Sequence, residues 1–233
     1  IVERDIKNKN IIEVGFQLRA HPNLIKIHEI LKLNQFGPLY TYRAVVGQRL
    51  DRWRPNTNYR ESYSASIKNG GGALLDLIHE IDLVYWLTGS IDKLYANISN
   101  VSDLEMSADD LANLTLMNRS GAVGQIQLDM VSPEYRRNLE LVYRDAVIYW
   151  DYTTGTVYKK MNGVTSLIDE VAVTYEKNMM FIKLMRNFIE RVNGEMKPPF
   201  CSLEDSIVAQ KIAESARSSS LLERVVKLDE ISL

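Results

Sequence analysis

Apolar residues recur along this chain with two periods, and the change of period organises it. Ile11 to Phe16 is a short apolar run and reads as a strand. Pro22 stands at a favoured first helical position, and Leu24, Ile27, Ile30 and Leu31 keep helical spacing up to Gly37-Pro38. Leu39 to Val46 is rich in β-branched and aromatic residues and predicts a strand. Leu74 to Leu87 predicts a helix that Gly89 closes. From Lys93 to about Val173 the period falls to two. Gln125 to Met130 alternates strictly, and Leu114 to Met117, Leu139 to Tyr143, Val147 to Trp150 and Val157 to Lys160 are further strands. Turn signals stand at Arg119-Ser120-Gly121 and Thr154-Gly155.

The helical period then returns. Phe181, Leu184, Met185, Phe188, Ile189 and Val192 mark an amphipathic helix ending at Asn193-Gly194, with Met179, Met180 and Met185 as core fillers. Ser202 and Asp205 have the spacing of a capping box and open a last helix, Leu203 to about Ser218, before an edge strand at Val225 to Leu228. Short loops between strands imply antiparallel pairing, with one polar and one apolar face. The layout predicts an α+β fold: an open, mostly antiparallel sheet with helices packed on one face. No repeat, low-complexity tract or linker divides the chain, so residues 1–233 read as a single domain, with a loop over 47–72 and a site helix over 73–88.

Composition narrows the function classes. The 233 residues carry 28 Lys and Arg against 30 Asp and Glu, a net charge of -2, which speaks against a nucleic-acid binder. With 45% hydrophobic and 25% charged residues the chain has the make-up of a globular domain. Cys201 is the only cysteine, which excludes an internal disulfide and suits a reducing, cytoplasmic setting. No apolar stretch is long enough to cross a membrane, since Ala73 to Leu87 is broken by Asp76, His79, Glu80 and Asp82. The first ten residues have neither an initiator Met nor an apolar signal core, so the chain is expected to be a piece of something longer.

Two segments could carry chemistry. In Gly70-Gly71-Gly72-Ala-Leu-Leu-Asp76-Leu-Ile-His79-Glu80-Ile-Asp82, helical spacing puts Asp76, His79 and Glu80 within a 100° arc. The glycines allow close ligand approach and the helix N-terminus favours an anion. A carboxylate one turn before a histidine can orient its ring and raise its pKa for acid–base work. The same pattern fits a solvated helix face after a glycine turn. A metal site from Asp76, His79 and Asp82 is disfavoured, with few histidines available. The second segment, Gln48 to Gly72, gathers Arg49, Arg52, Trp53, Arg54, Tyr59, Arg60 and Tyr63; arginine forks and aromatic faces suit carboxylates, phosphates or sugar rings, or simply coat a surface loop. There is no Gly-x-Gly-x-x-Gly fingerprint, Walker-type loop or nucleophile elbow.

Taken in order, Val14-Gly15-Phe16-Gln17-Leu18-Arg19-Ala20-His21-Pro22, Phe36-Gly37-Pro38-Leu39, Gly70 to Asp82 with Tyr85-Trp86-Leu87-Thr88-Gly89, Asp110-Leu111 with Ser120 to Gly124, and the two closing helices resemble the C-terminal domain of the glucose–fructose oxidoreductase / inositol dehydrogenase (Gfo/Idh/MocA) family. That resemblance implies a dihydrodipicolinate-reductase-like C-terminal fold and an oxidoreductase acting on a sugar, cyclitol or sugar nucleotide with NAD or NADP. The cofactor would be bound mainly by an N-terminal Rossmann domain, which is not in this sequence, and a lysine of a Glu-Lys-Pro motif there would complete the site. The resemblance assigns catalysis to Asp76 as orienter and His79 as general acid/base, makes Arg19, Trp53, Arg54 and Arg60 substrate-facing, and turns Gln17 toward the cofactor. It also implies a homodimer or homotetramer through the open sheet face around Gln125, Gln127 and Asp129; the charge balance, the lack of a long apolar stretch and the few histidines speak for no nucleic-acid or membrane partner and no metal. The family's usual spacing puts the histidine four residues after the aspartate; here it is three, as in a "DLsHEiD" branch among surface-polysaccharide sugar enzymes. Without the Rossmann half this chain alone is expected to be inactive. The alternative is a non-catalytic sugar-binding or interaction module that keeps the fold.

Overall fold

The computed structural model describes residues 11–171 and 175–232. The strands among these residues are β1 (Leu39–Gly47), β2 (Ile91–Ser99), β3 (Leu111–Asn118), β4 (Val123–Asp129), β5 (Arg136–Tyr143), β6 (Val147–Asp151), β7 (Thr156–Met161), β8 (Val164–Glu170) and β9 (Val226–Lys227). They form one open sheet in the order β8-β7-β6-β5-β1-β4-β3-β2-β9. Only β1 and β4 pair in parallel; the other seven pairs are antiparallel, because short hairpin turns join most neighbours. The helices are α1 (Pro22–Lys32), α2 (Ala73–Asp76), α3 (His79–Thr88), α4 (Asn178–Val192) and α5 (Leu203–Leu222).

The period-two pattern sets the faces. One row crosses eight strands through Ala96, Leu114, Ile126, Ala44, Leu139, Trp150, Val157 and Asp169, and all but the last are at most 1% exposed. α1, α3 and α5 cover this face, through Leu24 and Ile27, Ile81 and Val84, and Ile212 and Ala216. The adjacent row on the opposite face runs Tyr95, Thr115, Gln125, Arg43, Glu140, Tyr149, Tyr158 and Leu167. Its tyrosines and Leu167 are exposed, so this face is open and partly apolar. β9 pairs with β2 only at Lys93 and Leu94; beyond it, Ser219 and Ser220 of α5 accept from the Ala96 and Ile98 amides and close that edge.

Several expectations change. Ile11 to Phe16 is not a strand, since no strand lies beside it among the described residues; it leads into a 3-10 turn, Gln17–Ala20. The long loop is ordered by four such turns, Leu50–Arg52, Tyr59–Glu61, Tyr63–Ala65 and Ile67–Asn69. The last helix runs on to Leu222. α4 forms as expected, but only Met180 of its methionines reaches the core; Met185, Phe181, Ile189 and Val192 each stay about half exposed. The site helix breaks: Leu77 leaves helical geometry (φ -102°, ψ 20°), so Asp76 ends α2 and His79 begins α3.

Candidate functional site

The glycine run is built for chain-on-chain packing. A Cβ at Gly71 would lie 2.2 Å from the Tyr63 carbonyl oxygen, and one at Gly72 2.4 Å from Asp109 Oδ1. Gly72 also needs its φ of +110°. The N-terminus of α2 has its own anion: Asp109 accepts from the Ala73 amide through its carbonyl and from the Leu74 amide through its carboxylate, both at 2.8 Å. The expected opening for a ligand at these glycines is therefore filled by the loop carbonyls and Asp109. What they achieve is to seat the Tyr63–Ala65 turn against the start of α2, beside Asp76.

Asp76 and His79 stand on either side of the helix break. Asp76 Oδ2 and His79 Nδ1 are both buried and meet no hydrogen-bond partner among the described residues. Burial raises the Asp76 carboxyl above the ordinary range, while the Ser64 and Tyr63 hydroxyls and the Arg54 charge pull it back. His79 is pushed down to about 4, first by burial and then by the charge of Arg137, so it is neutral at pH 7. This corrects the expectation that the carboxylate raises the imidazole pKa: the two side chains make no hydrogen bond, and Arg137 acts on the ring instead. The ring is held edge-on by Phe16, with centroids 5.6 Å apart.

Beneath His79 lie two buried ion pairs. Glu80, 1% exposed, faces Arg137, 11% exposed, with Nε 2.6 Å from Oε1 and a second contact, Nη2 to Oε2, at 3.3 Å. The shorter contact is misaligned as a hydrogen bond, so charge holds this pair more than directional bonding does. Arg137 also lies over the Tyr152 ring at 5.6 Å. The second pair is bidentate, with Arg19 Nε and Nη2 donating to the two oxygens of Asp82 at 3.0 and 2.7 Å. Arg19 Nη1 reaches Asp205 at 2.8 Å, and the guanidinium lies 5.6 Å from the Trp86 ring.

These contacts sort the remaining candidates. Arg19, 3% exposed, is a structural clamp between α3 and α5 and does not face a ligand, because its fork is taken by Asp82 and Asp205. Arg60 is exposed but held bidentately by Glu105 at 2.8 and 2.9 Å. Trp53 is half-buried and donates to the Gln48 carbonyl at 2.8 Å, leaving its ring beside Arg54 and Ser64. Arg54, exposed and acting on Asp76, has no ion-pair partner among the described residues. Gln17, half-buried, uses its side chain in no hydrogen bond among them. The structure thus brings Trp53, Arg54, Ser64 and Asp76 to one wall and turns Arg19 and Arg60 away from it. Among the described residues no three His, Cys, Asp or Glu side chains converge on a metal position.

Arg137 and Asp109 were not singled out by spacing, and Glu80 was placed on the polar arc with Asp76 and His79 and not as the inward partner of Arg137. Arg137 was recoverable: in a strand that turns Leu139 and Leu141 inward, the residue two positions earlier faces inward too.

Comparison with known proteins follows the same lines. Residues 24–149 match the model of the GFO/IDH/MocA C-terminal domain. The chain is 25% identical over 247 residues to myo-inositol 2-dehydrogenase of Thermotoga maritima, covering 99% of this chain and 68% of the relative. Among solved structures it is similar to levoglucosan dehydrogenase in complex with NADH (TM-score 0.79, 19% identity, 96% of this chain and 67% of that one). It is also similar to an NAD binding oxidoreductase from Klebsiella pneumoniae (TM-score 0.81, 15% identity, 97% and 69%). The chain spans about two thirds of the length of these relatives. With the motif order, the single mixed sheet and the matched model in agreement, the chain belongs to the GFO/IDH/MocA C-terminal domain family.

Proposed function

We propose that this chain is the substrate-binding and oligomerising domain of an NAD- or NADP-dependent oxidoreductase that oxidises a carbinol of a sugar, cyclitol or sugar nucleotide. The observation that carries the reading is the pair Asp76 and His79, each with a buried polar atom unpartnered among the described residues, at a helix break beside the unpaired Arg54. Buried polar atoms without partners are rare in native structures and call for a specific cause, of which a catalytic role is one. Family membership and the printed activities of the relatives, an inositol dehydrogenase and a levoglucosan dehydrogenase, support the same class.

In this reading Asp76 accepts a hydrogen bond from a substrate hydroxyl and fixes the ring's orientation. With Nδ1 buried, His79 offers its other nitrogen to the reacting hydroxyl as a neutral acceptor. Because the ring takes a second proton only at about pH 4 and below, the proton leaving the hydroxyl as the hydride departs is relayed by His79 to solvent water and does not rest on the ring. Burial and the Arg137 charge keep the ring neutral, and Trp53 with Arg54 closes one wall. A nicotinamide nucleotide, when bound, would supply the acceptor for the hydride leaving the substrate carbon. Of this chain's residues Gln17, with its amide uncommitted, fits the nicotinamide end, whereas no glycine-rich phosphate loop is present in the sequence. The open sheet face, with Tyr95, Tyr149, Tyr158 and Leu167 exposed in one row, serves as the contact between copies.

The test is a screen of cyclitols, pyranoses and sugar nucleotides for reduction of NAD+ or NADP+ by the whole product of the gene. Turnover of a polyol supports the reading. Sugar binding without turnover would favour the non-catalytic sugar-binding module.

A further inference from the structure

A second polar pocket has neither Asp76 nor His79 in its lining. A cavity of about 180 Å³ opens between the β6–β7 turn and the residues just before α4, lined among others by His21, Tyr152, Thr153, Thr154, Tyr175 and Lys177. Two of its lining side chains hold buried polar atoms that nothing satisfies among the described residues: His21 Nδ1 and the Tyr175 hydroxyl. His21 is 2% exposed and packed edge-on or tilted against three aromatic rings, with centroids 5.5 Å from Trp150 and Tyr152 and 5.6 Å from Tyr175. The neighbouring polar groups are paired with one another: Trp150 Nε1 donates to Asn23, and Asn23 donates to Asp169. The unmet bonding in this region therefore lies with two side chains of residues that line the cavity. Lys177 lies 5.3 Å from the Tyr152 ring and 5.6 Å from the Tyr135 ring, capping the mouth without a carboxylate partner among the described residues.

The lining selects a ligand class. Aromatic faces take the C–H faces of a saturated ring, while one imidazole nitrogen, one phenol and the threonine hydroxyls take neutral hydroxyl groups. His21 is held neutral, with its pKa at about 4, by burial and by the charges of Arg137 and Lys183 against the opposing Asp169. It therefore offers a hydrogen-bond partner and no charge. A volume of this size, below the range of pockets for drug-sized ligands, has room for one six-membered ring and not for a nucleotide. We propose that this cavity is a second ring site, taking a neutral pyranose or cyclitol, distinct from the Asp76–His79 site. It rests on the sugar reading above for its ligand class. The ring is either a separate molecule or the second ring of a substrate that reaches both sites.

The chain's three histidines separate these cases: His21 reports the cavity, His79 the proposed catalytic site, and His28, stacked on Trp86 at 4.3 Å, neither. Imidazole resonances would be followed by NMR while methyl β-glucopyranoside, myo-inositol or maltose is titrated to about 50 mM, enough to reveal millimolar binding. The expected result is a saturable shift of His21 with His28 still. A single ring that moves His21 alone indicates a separate ligand. Maltose moving His21 and His79 together, with one binding constant, indicates a substrate spanning both.

Tyr175→Phe removes one hydroxyl and should weaken binding about tenfold. Two results overturn the cavity proposal. One is a sugar that shifts His79 and leaves His21 unmoved, which preserves the catalytic reading. The other is a Tyr175→Phe variant of higher Tm whose sugar affinity equals wild type, as a purely structural void would give. A sugar shifting His21 and never His79 counts against the catalytic reading alone, and no shift of either ring overturns both.

Discussion

Arg137→Met isolates the ion pair on which the candidate site rests. The variant keeps an unbranched side chain of similar reach and removes the cation facing Glu80, a carboxylate 1% exposed with no other counter-ion among the described residues. Removing one partner of a buried pair costs about 3–5 kcal/mol, because the remaining charge is left desolvated. For a chain of this size, with a urea m-value of about 2–3 kcal/mol/M, the midpoint should fall by about 1–2 M at pH 8. The pH dependence has a definite sign. Burial already raises the Glu80 carboxyl, and Arg137 opposes that rise. Without Arg137 the folded-state pKa climbs further above the unfolded value, so stability present at low pH is lost as pH rises through it. The deficit should therefore be smaller at pH 5.5 than at pH 8. Glu80→Gln combined with Arg137→Met should recover most of the loss, since no buried charge remains. Paired urea titrations of wild type, Arg137→Met, Glu80→Gln and the double variant at both pH values provide the check. A single variant within about 1 kcal/mol of wild type at pH 8, or a deficit that grows on acidification, would refute the reasoning.

The other predictions concern the parts around this pair. Gly71→Ala puts a methyl group 2.2 Å from a backbone oxygen that cannot swing away, so Tm should drop by roughly 4–8 °C; an unchanged Tm contradicts the packing role given to the glycines. By NMR, His21 and His79 should stay neutral down to about pH 5. Because their folded pKa values lie below the unfolded one, their contribution to stability is intact above about pH 6.5 and declines as pH falls toward 4. Protonation of either ring near pH 6.5 would show that it is not buried as described. Replacing Tyr149 and Tyr158 with Glu on the open face should shift the protein to a smaller species in light scattering. A wild type that is already monomeric at micromolar concentration rules out that contact.

What could be read from the sequence follows the strength of the local signal. The strict alternation of Gln125 to Met130 fixed β4 and its two faces, because a one-residue slip would expose Ile126 and Leu128. Pro22 and Gly89 marked the start of α1 and the end of α3. Periodicity failed where long-range contacts decide. It placed Asp76, His79 and Glu80 on one continuous helix, whereas the chain breaks at Leu77 and sends Glu80 inward to an arginine fifty-seven residues away. Arg19 looked like a ligand-facing residue because its partners, Asp82 and Asp205, lie in distant helices and only the folded chain assembles them. The glycines looked like an anion cradle, and the anion proved to be Asp109. Asp76 and His79 were legible as candidates; their protonation was not, since it depends on burial, on Arg54 for the carboxyl and on Arg137 for the ring.

The central claim is that His79 acts on the substrate hydroxyl of a nicotinamide-dependent oxidation. It is tested most directly by comparing kcat and KM of the whole gene product with those of its His79→Gln variant, on the best polyol from the screen. The account predicts a fall in kcat of about 10²-fold or more with little change in KM, the size expected for removal of a positioned proton acceptor. A kcat/KM within twofold of wild type, with the variant folded and the polyol still bound, would contradict it.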